Sequence, residues 1–249
     1  MQHESSLVDT LRRPHDDGLD FLRQSKETIF NRRQCEHLDS YSPPEVERRK
    51  TIAVKSLYLI VKATRLCNLR CTYCHSWREG PNQVLSFEML CSTIAEAMRL
   101  PGLKYLHIVW HGGETTLLSR KYFERAIWLQ EHFRIDDRKV GHSIQTNATR
   151  IDDSWAAFFK VNDFSVGVSL DIDRPTHDRS RLFEDGSGSF ADTMRGIETL
   201  RRHGVTHGTL AVCDEAVLDM GAERVMAALL ATGVSSVGLL NALPAITPG

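Results

Sequence analysis

Cys67, Cys71 and Cys74 fall within eight residues, in the run Arg65-Leu66-Cys67-Asn68-Leu69-Arg70-Cys71-Thr72-Tyr73-Cys74. Spaced in this way, three thiols can curl onto one face of a small inorganic core. Structural zinc wants four protein ligands, and so does an electron-carrying four-iron cluster. The local run supplies three. A cubane held by three thiolates leaves one iron open to a small molecule, which points to chemistry more than to electron storage.

Such a loop needs a scaffold, and the rest of the chain is patterned to supply one. The 249 residues have room for one large domain or two small ones. At 41% hydrophobic and 25% charged, with a formal charge of −1, the composition gives no electrostatic case for nucleic acid or an anionic membrane as partner. No apolar run reaches the roughly 18 residues of a membrane span. The start, Met1-Gln2-His3-Glu4-Ser5, lacks a secretory pattern, so the cytoplasm is the expected compartment. Six cysteines there read as ligands or buried thiols sooner than disulfides.

Residues 1–50 are dense in charge and end at Ser42-Pro43-Pro44; they read as an arm or small cap, with Leu19, Phe21, Leu22, Ile29 and Phe30 on one short amphipathic helix. From residue 51 to 249 strand-like and helix-like runs alternate. Strands are expected at Ile52 to Ala63, Leu106 to Trp110, Val140 to Thr146, Phe164 to Leu170, Val205 to Cys213 and Val237 to Leu240. Between them lie a helix opened by Ser86 and stopped by Pro101-Gly102, one opened by Ser119, a short one carrying Trp155, Phe158 and Phe159, one after a Ser189/Asp192 capping box, and one from about Leu218 to Thr232 that ends at Gly233. This is the rhythm of βαβ units, hence an α/β protein with a parallel sheet, either doubly wound or an incomplete barrel. Both place chemistry at the carboxyl ends of the strands. The polar oddities fall there: the cysteines, His111-Gly112-Gly113-Glu114, Gln145-Thr146-Asn147, Ser169 with Asp171, and Cys213.

The spacing Cys67-x3-Cys71-x2-Cys74, with Tyr73 before the third cysteine, resembles the signature of the radical S-adenosylmethionine (radical SAM) enzymes. The similarity runs from about residue 53 to the end. It is greatest to the SPASM-type branch that modifies peptides and proteins, meaning maturases of ribosomal peptides and of sulfatases. The resemblance implies a partial (β/α)6 barrel, a [4Fe–4S] cluster on the three cysteines, and S-adenosylmethionine (AdoMet) chelated to the open iron. It implies reductive cleavage to methionine and a 5′-deoxyadenosyl radical, which takes hydrogen from a peptide or protein side chain to give a crosslink, an epimer or an oxidised residue. The electron would come from a flavodoxin or ferredoxin.

By the same resemblance, Gly112, Gly113 and Glu114 bind the methionine amino group, and Tyr73 borders the adenine. Ser169 and Asp171 bind the ribose, Arg181 in His177-Asp178-x-x-Arg181 pairs with the methionine carboxylate, and Asn147 faces the same cavity. Thr115 stands in place of a usual proline, and Ile172-Asp173 in place of a common Gly-Pro. The auxiliary-cluster cysteines usual after the barrel are absent, and the sequence stops at Gly249 with the last helix missing. The alternatives are a non-catalytic iron–sulfur or zinc module, and a truncated remnant that binds peptide. Cys213 is a candidate hydrogen-atom donor, though a structural thiol is favoured, as for Cys35 and Cys91. His75 and His111 flank the main motifs as candidate cluster or substrate contacts. Trp77 and Trp110 read as packing. Arg12-Arg13 and Arg32-Arg33 read as solvated faces before they read as a leader-peptide site.

Overall fold

The computed structural model describes residues 20–43, 54–74 and 83–242. Its centre is one sheet of six parallel strands: β1 Ser56–Thr64, β2 Tyr105–Gly112, β3 Lys139–Thr146, β4 Phe164–Ser169, β5 His207–Cys213 and β6 Val237–Asn241. The spatial order follows the chain order from β1 to β6, so every crossover steps to the next strand and winding never reverses. That excludes the doubly wound alternative, which needs a reversal, and gives the partial (β/α)6 barrel.

The helices needed for the site are α1 Lys26–Ile29, α2 Arg32–Ser40, α3 Phe87–Met98, α4 Arg120–His132, α5 Asp153–Val161, α6 Arg174–Ser180, α7 Phe190–Arg202, α8 Glu215–Asp219 and α9 Ala222–Ala231. Local chemistry explains their starts. The Ser86 side chain accepts from Met89 N to open α3, Asp152 from Trp155 N to open α5, and Asp214 from Val217 N to open α8. Asp173 and Thr176 form a reciprocal capping box on α6.

Strand residues alternate between two environments. Leu106, Ile108, Trp110, Ile144, Val166 and Val168 are buried against helices, while Tyr58 and Ile60 on the other face of β1 are exposed. Phe123 of α4 is fully buried among Trp110, Trp155, Phe158 and Phe164. Among these rings lies His142, sandwiched by Trp110 and Phe164 and hydrogen-bonded to Trp110 Nε1 and Gln130. Trp110 is therefore packing, as expected.

Three expectations change. Residues 20–30 do not form one amphipathic helix: a 3₁₀ turn at Asp20–Arg23 and the single turn α1 precede α2. Phe21 and Phe30 are buried nonetheless, Phe30 against Trp128 and Phe87, so apolar contact and not helical periodicity places them. The helix expected from Leu218 to Thr232 is two pieces, α8 and α9, broken at Gly221, whose φ of 77° is a left-handed conformation that a helix interior does not admit. The capping box at Ser189 does not form, because its hydroxyl donates to Arg181 O; Asp178 of α6 accepts from Phe190 N instead. Leu19, Arg12-Arg13, His75 and Trp77 lie outside the described residues. Arg32 and Arg33 are exposed and pair with Glu36 and Glu88.

Candidate active site at the carboxyl rim

The cysteine run leaves the end of β1 at the carboxyl edge of the sheet. Cys71 is buried, and Cys67 and Cys74 are half-buried. Burial pushes the Cys67 thiol up to about 12 and the Cys71 thiol up to about 11. Without a cation in front of them these two groups are protonated at neutral pH, so the loop suits an occupant whose positive charge displaces protons.

The ends of β2, β3 and β4 each contribute a clamp on this loop. After β2, Gly113 N donates to Thr64 O at 2.7 Å and Glu114 N to Leu66 O at 2.6 Å. A Cβ on Gly112 would lie 2.2 Å from Thr64 O, and one on Gly113 2.1 Å from Leu66 O, so both positions require glycine for backbone approach to the cysteine loop. The Glu114 carboxylate points inward and is 1% exposed. Oε1 accepts from Thr116 N, Thr116 Oγ1 and Thr146 Oγ1, and Oε2 from Asn147 N at 2.7 Å. It thus staples the ends of β2 and β3 together.

After β3, Asn147 Nδ2 donates to Asn68 Oδ1 at 2.9 Å, and Asn68 Nδ2 donates to Thr149 Oγ1. Asn68 stands between the first two cysteines, so this pair fixes the loop from below. Ala148 beside it has φ of 61°, a left-handed conformation in a buried alanine, held where Thr193 Oγ1 bonds Asn147 O.

After β4, Ser169 accepts from Gln145 Nε2 at 2.9 Å. Asp171 accepts from Arg181 and from Tyr73 Oη, and Arg181 Cζ lies 5.4 Å from the Tyr73 ring centroid. The strand-to-helix turn is braced by His177: its Nδ1 accepts from Asp171 N, and its Nε2 faces Ser189 Oγ. Cys213, at the end of β5, sits among Ile172, Ala211, Val217 and Leu229. Cys91 is buried within α3, and Cys35 donates to Lys26 O and Phe30 O. His111 is exposed at the rim, where its Nδ1 accepts from Gly112 N. Beneath the rim the open face of the sheet holds a cavity of about 480 Å³, lined by Val109, His111, Ser143, Gln145, Gly167 and Leu210 among others.

Sequence reading thus located the rim but missed the clamps. Thr146 was read only as part of the Gln145-Thr146-Asn147 rim segment, and Asn68, Thr116 and the Val212 amide, which donates to Asp171, were given no role. Their one visible signal is small polar residues beside the motifs, which many surface loops share.

Burial holds His142 down at about 3 and His177 at about 4, both below the usual 6.5. The unfolded chain therefore binds more protons than the native one between these values. Stability should be complete above pH 6.5 and fall as pH drops toward 4, by about 1.4 kcal/mol per pH unit for each histidine. Urea unfolding at pH 7, 6 and 5 measures this, and His142→Gln should remove about half of the slope. A slope that does not change would show that His142 is not the source.

An α/β arc with a three-cysteine loop at its carboxyl rim defines a class of cluster-bearing barrels. The chain belongs to the radical SAM superfamily: the family model of that description matches residues 61–219. The family's cofactors are a [4Fe–4S] cluster and AdoMet. The chain is 35% identical over 168 residues to the serine-type anaerobic sulfatase-maturating enzyme of Bacteroides thetaiotaomicron, covering 65% of this chain and 40% of that protein. It is 36% identical over 168 residues to the cysteine-type enzyme of Clostridium novyi, covering 65% and 45%. The solved structure of native anSMEcpe with bound AdoMet and the Kp18Cys peptide matches with a TM-score of 0.70 and 28% identity, over 76% of this chain and 52% of that one. The chain therefore spans about half the length of these relatives, or less. Among the described residues no helix is long and apolar enough to cross a membrane.

Proposed function

We propose that this chain is the AdoMet-cleaving barrel of a peptide- or protein-modifying radical enzyme. The observation that carries the reading is the cysteine loop itself, clamped at the carboxyl rim by groups from three later strands, with a cavity in the open face of the same sheet. Cys67, Cys71 and Cys74 would hold three irons of the cluster, leaving the fourth for the amino and carboxylate groups of AdoMet. When bound, the pair supplies one-electron cleavage of a sulfonium bond and hence the capacity to abstract hydrogen.

The chain's own residues orient and shield that chemistry. Gly112 and Gly113 bring the β2 end against the loop, where backbone carbonyls would suit the ammonium group of AdoMet. The Ser169 hydroxyl, accepting from Gln145, keeps its O–H to donate to a ligand oxygen. The cavity in the open face of the sheet, with Ser143 and Gln145 among Val109, Ile144, Val166 and Leu210, would receive a side chain of the peptide. Residues 51–249 would form the barrel. Residues 1–50 would form an arm or cap, of which Phe21, Phe30 and Leu38 are buried and Ile29 O accepts from Arg125 of α4. A flavodoxin or ferredoxin would deliver the electron.

The relatives' names suggest peptides bearing the serine or cysteine of a sulfatase as first substrates. Anaerobically reconstituted protein with dithionite should convert AdoMet to 5′-deoxyadenosine, and a serine or cysteine peptide should lose mass in step with that product. Cluster present with no 5′-deoxyadenosine would remove the enzymatic reading; cleavage with no change in either peptide would redirect the substrate.

A further inference from the structure

The open face of the sheet carries a second hydrogen-bonded chain, nearer the amino ends of the strands than the cysteine loop. Its members are Tyr105 and His107 of β2 and Ser143 of β3, all half-buried. Tyr105 Oη lies 2.8 Å from His107 Nδ1, and His107 Nε2 lies 3.0 Å from Ser143 Oγ. Gly141, opposite His107 in the β2–β3 register, leaves room for the first contact. A Cβ there would lie 2.6 Å from Tyr105 Oη and 2.9 Å from His107 Nδ1. Tyr58 of β1 stands on the other side, its ring centroid 5.2 Å from the imidazole. Ser143 also lines the cavity, whose described lining holds no aspartate, glutamate, lysine or arginine.

The chain has a direction. A phenol is a stronger donor and a weaker acceptor than an alkyl hydroxyl, so Tyr105 donates to Nδ1 and the imidazole proton sits on Nε2. Nε2 then donates to Ser143 Oγ, and the serine must aim its own proton elsewhere. Protonation of His107 keeps that bond and adds a positive charge behind the hydroxyl. We propose that Ser143 is a donor subsite for a carboxylate of the peptide substrate, a step that rests on the reading that the peptide enters this cavity. His107 and Tyr105 are its positioning residues: they turn the hydroxyl into the cavity and tighten its grip as pH falls. Burial holds the free imidazole below its usual 6.5, and a bound carboxylate opposes that effect. Tyr58, Tyr105 and Ser143 face His107 on the open side, and His142, on the opposite face of β3, lies close enough to feel its charge. None of these four is a carboxylate, so the ligand supplies the counter-charge.

The test uses the 249-residue chain without cluster or AdoMet, so that no other carboxylate competes and cleavage activity plays no part. The probes are two end-capped heptapeptides, one with a single central aspartate and one with asparagine in its place. Wild type should bind the aspartate peptide about fivefold more tightly at pH 5.5 than at pH 7.5, and the asparagine peptide within about twofold at both. By reciprocity, saturating aspartate peptide should raise the His107 pKa, read by NMR, by about one unit. Ser143→Ala should weaken the aspartate peptide about tenfold at pH 5.5. His107→Gln, whose amide still donates to Ser143, should bind at pH 7.5 and lose the pH dependence. Tyr105→Phe should let the neutral ring carry its proton on Nδ1, visible in the ring nitrogen shifts. Equal aspartate-peptide binding at both pH values, an unshifted His107 pKa, or pH dependence that survives in His107→Gln would overturn the subsite. Binding of neither peptide would overturn it too, while 5′-deoxyadenosine from the reconstituted protein would still support the proposed function.

Discussion

Cys71→Ala is expected to give a folded chain that holds no four-iron cluster and forms 5′-deoxyadenosine at least about a thousandfold more slowly than wild type. Cys71 is the middle thiol of the run and the only buried one of the three, at 8% exposure. Its replacement leaves two thiols, too few to hold three irons. Because three ligands of one cluster act as a unit, Cys67→Ala and Cys74→Ala should be equally inactive, and the triple variant no worse than any single one. Stability should change little in the cluster-free state, since a small apolar group replaces a buried neutral thiol. Iron and sulfide analysis, electron paramagnetic resonance of the reduced protein and product chromatography read the outcome. A Cys71→Ala protein with wild-type iron content would show the ligand assignment to be wrong, and zinc without iron in the wild type would remove the radical reading altogether.

The second large effect falls on Glu114. Glu114→Ala is expected to lower stability by about 4 kcal/mol, because Thr116 N, Thr116 Oγ1, Thr146 Oγ1 and Asn147 N lose their shared acceptor in a site that excludes water. For a chain of this size that corresponds to a fall of about 10 °C in Tm. Glu114→Gln keeps one acceptor oxygen but turns an NH2 group toward these donors, so an intermediate loss is expected. Since Asn147 also grips Asn68, the loop should loosen with the staple, and iron retention should fall in parallel with Tm. If Glu114→Gln keeps the wild-type Tm and instead loses AdoMet affinity, the carboxylate serves the ligand and not the sheet.

The contrast between Glu114 and the cysteines marks how far the sequence was legible. Three thiols at that spacing mark a ligand loop and carry the family resemblance, because ligand chemistry is local, and it is the resemblance that implies the cluster. The alternation of strands and helices was readable for the same reason: Ser86 and the spacing of Leu90, Ile94 and Ala97 carry their own helix start and apolar face. Failures came where a distant group decides the local outcome. Ser189 has the residue pattern of a cap, but Arg181 O and His177 take its hydroxyl and Asp178 caps α7 in its place. Similarly, Gly112 and Gly113 read as a backbone opened for a ligand. The geometry adds a second reason, that β1 and its loop pass within contact of both α-carbons.

The sequence by itself determined the three-cysteine motif that carries the family resemblance, the α/β architecture and the rim on which the unusual residues gather. Each of these follows from residue type and short-range spacing. Residue patterning left a doubly wound sheet and a barrel arc both open; the family resemblance implied the barrel, and the strand order, which depends on which strands pair and not on their count, bears it out. The tertiary structure alone joined Asn147 to Asn68, Glu114 to Thr146, and Asp171 to Tyr73 and Val212, across separations of up to 98 residues. A buried polar group must find a partner somewhere, but sequence spacing does not say where; the folded backbone chooses it by bringing the ends of successive parallel strands together.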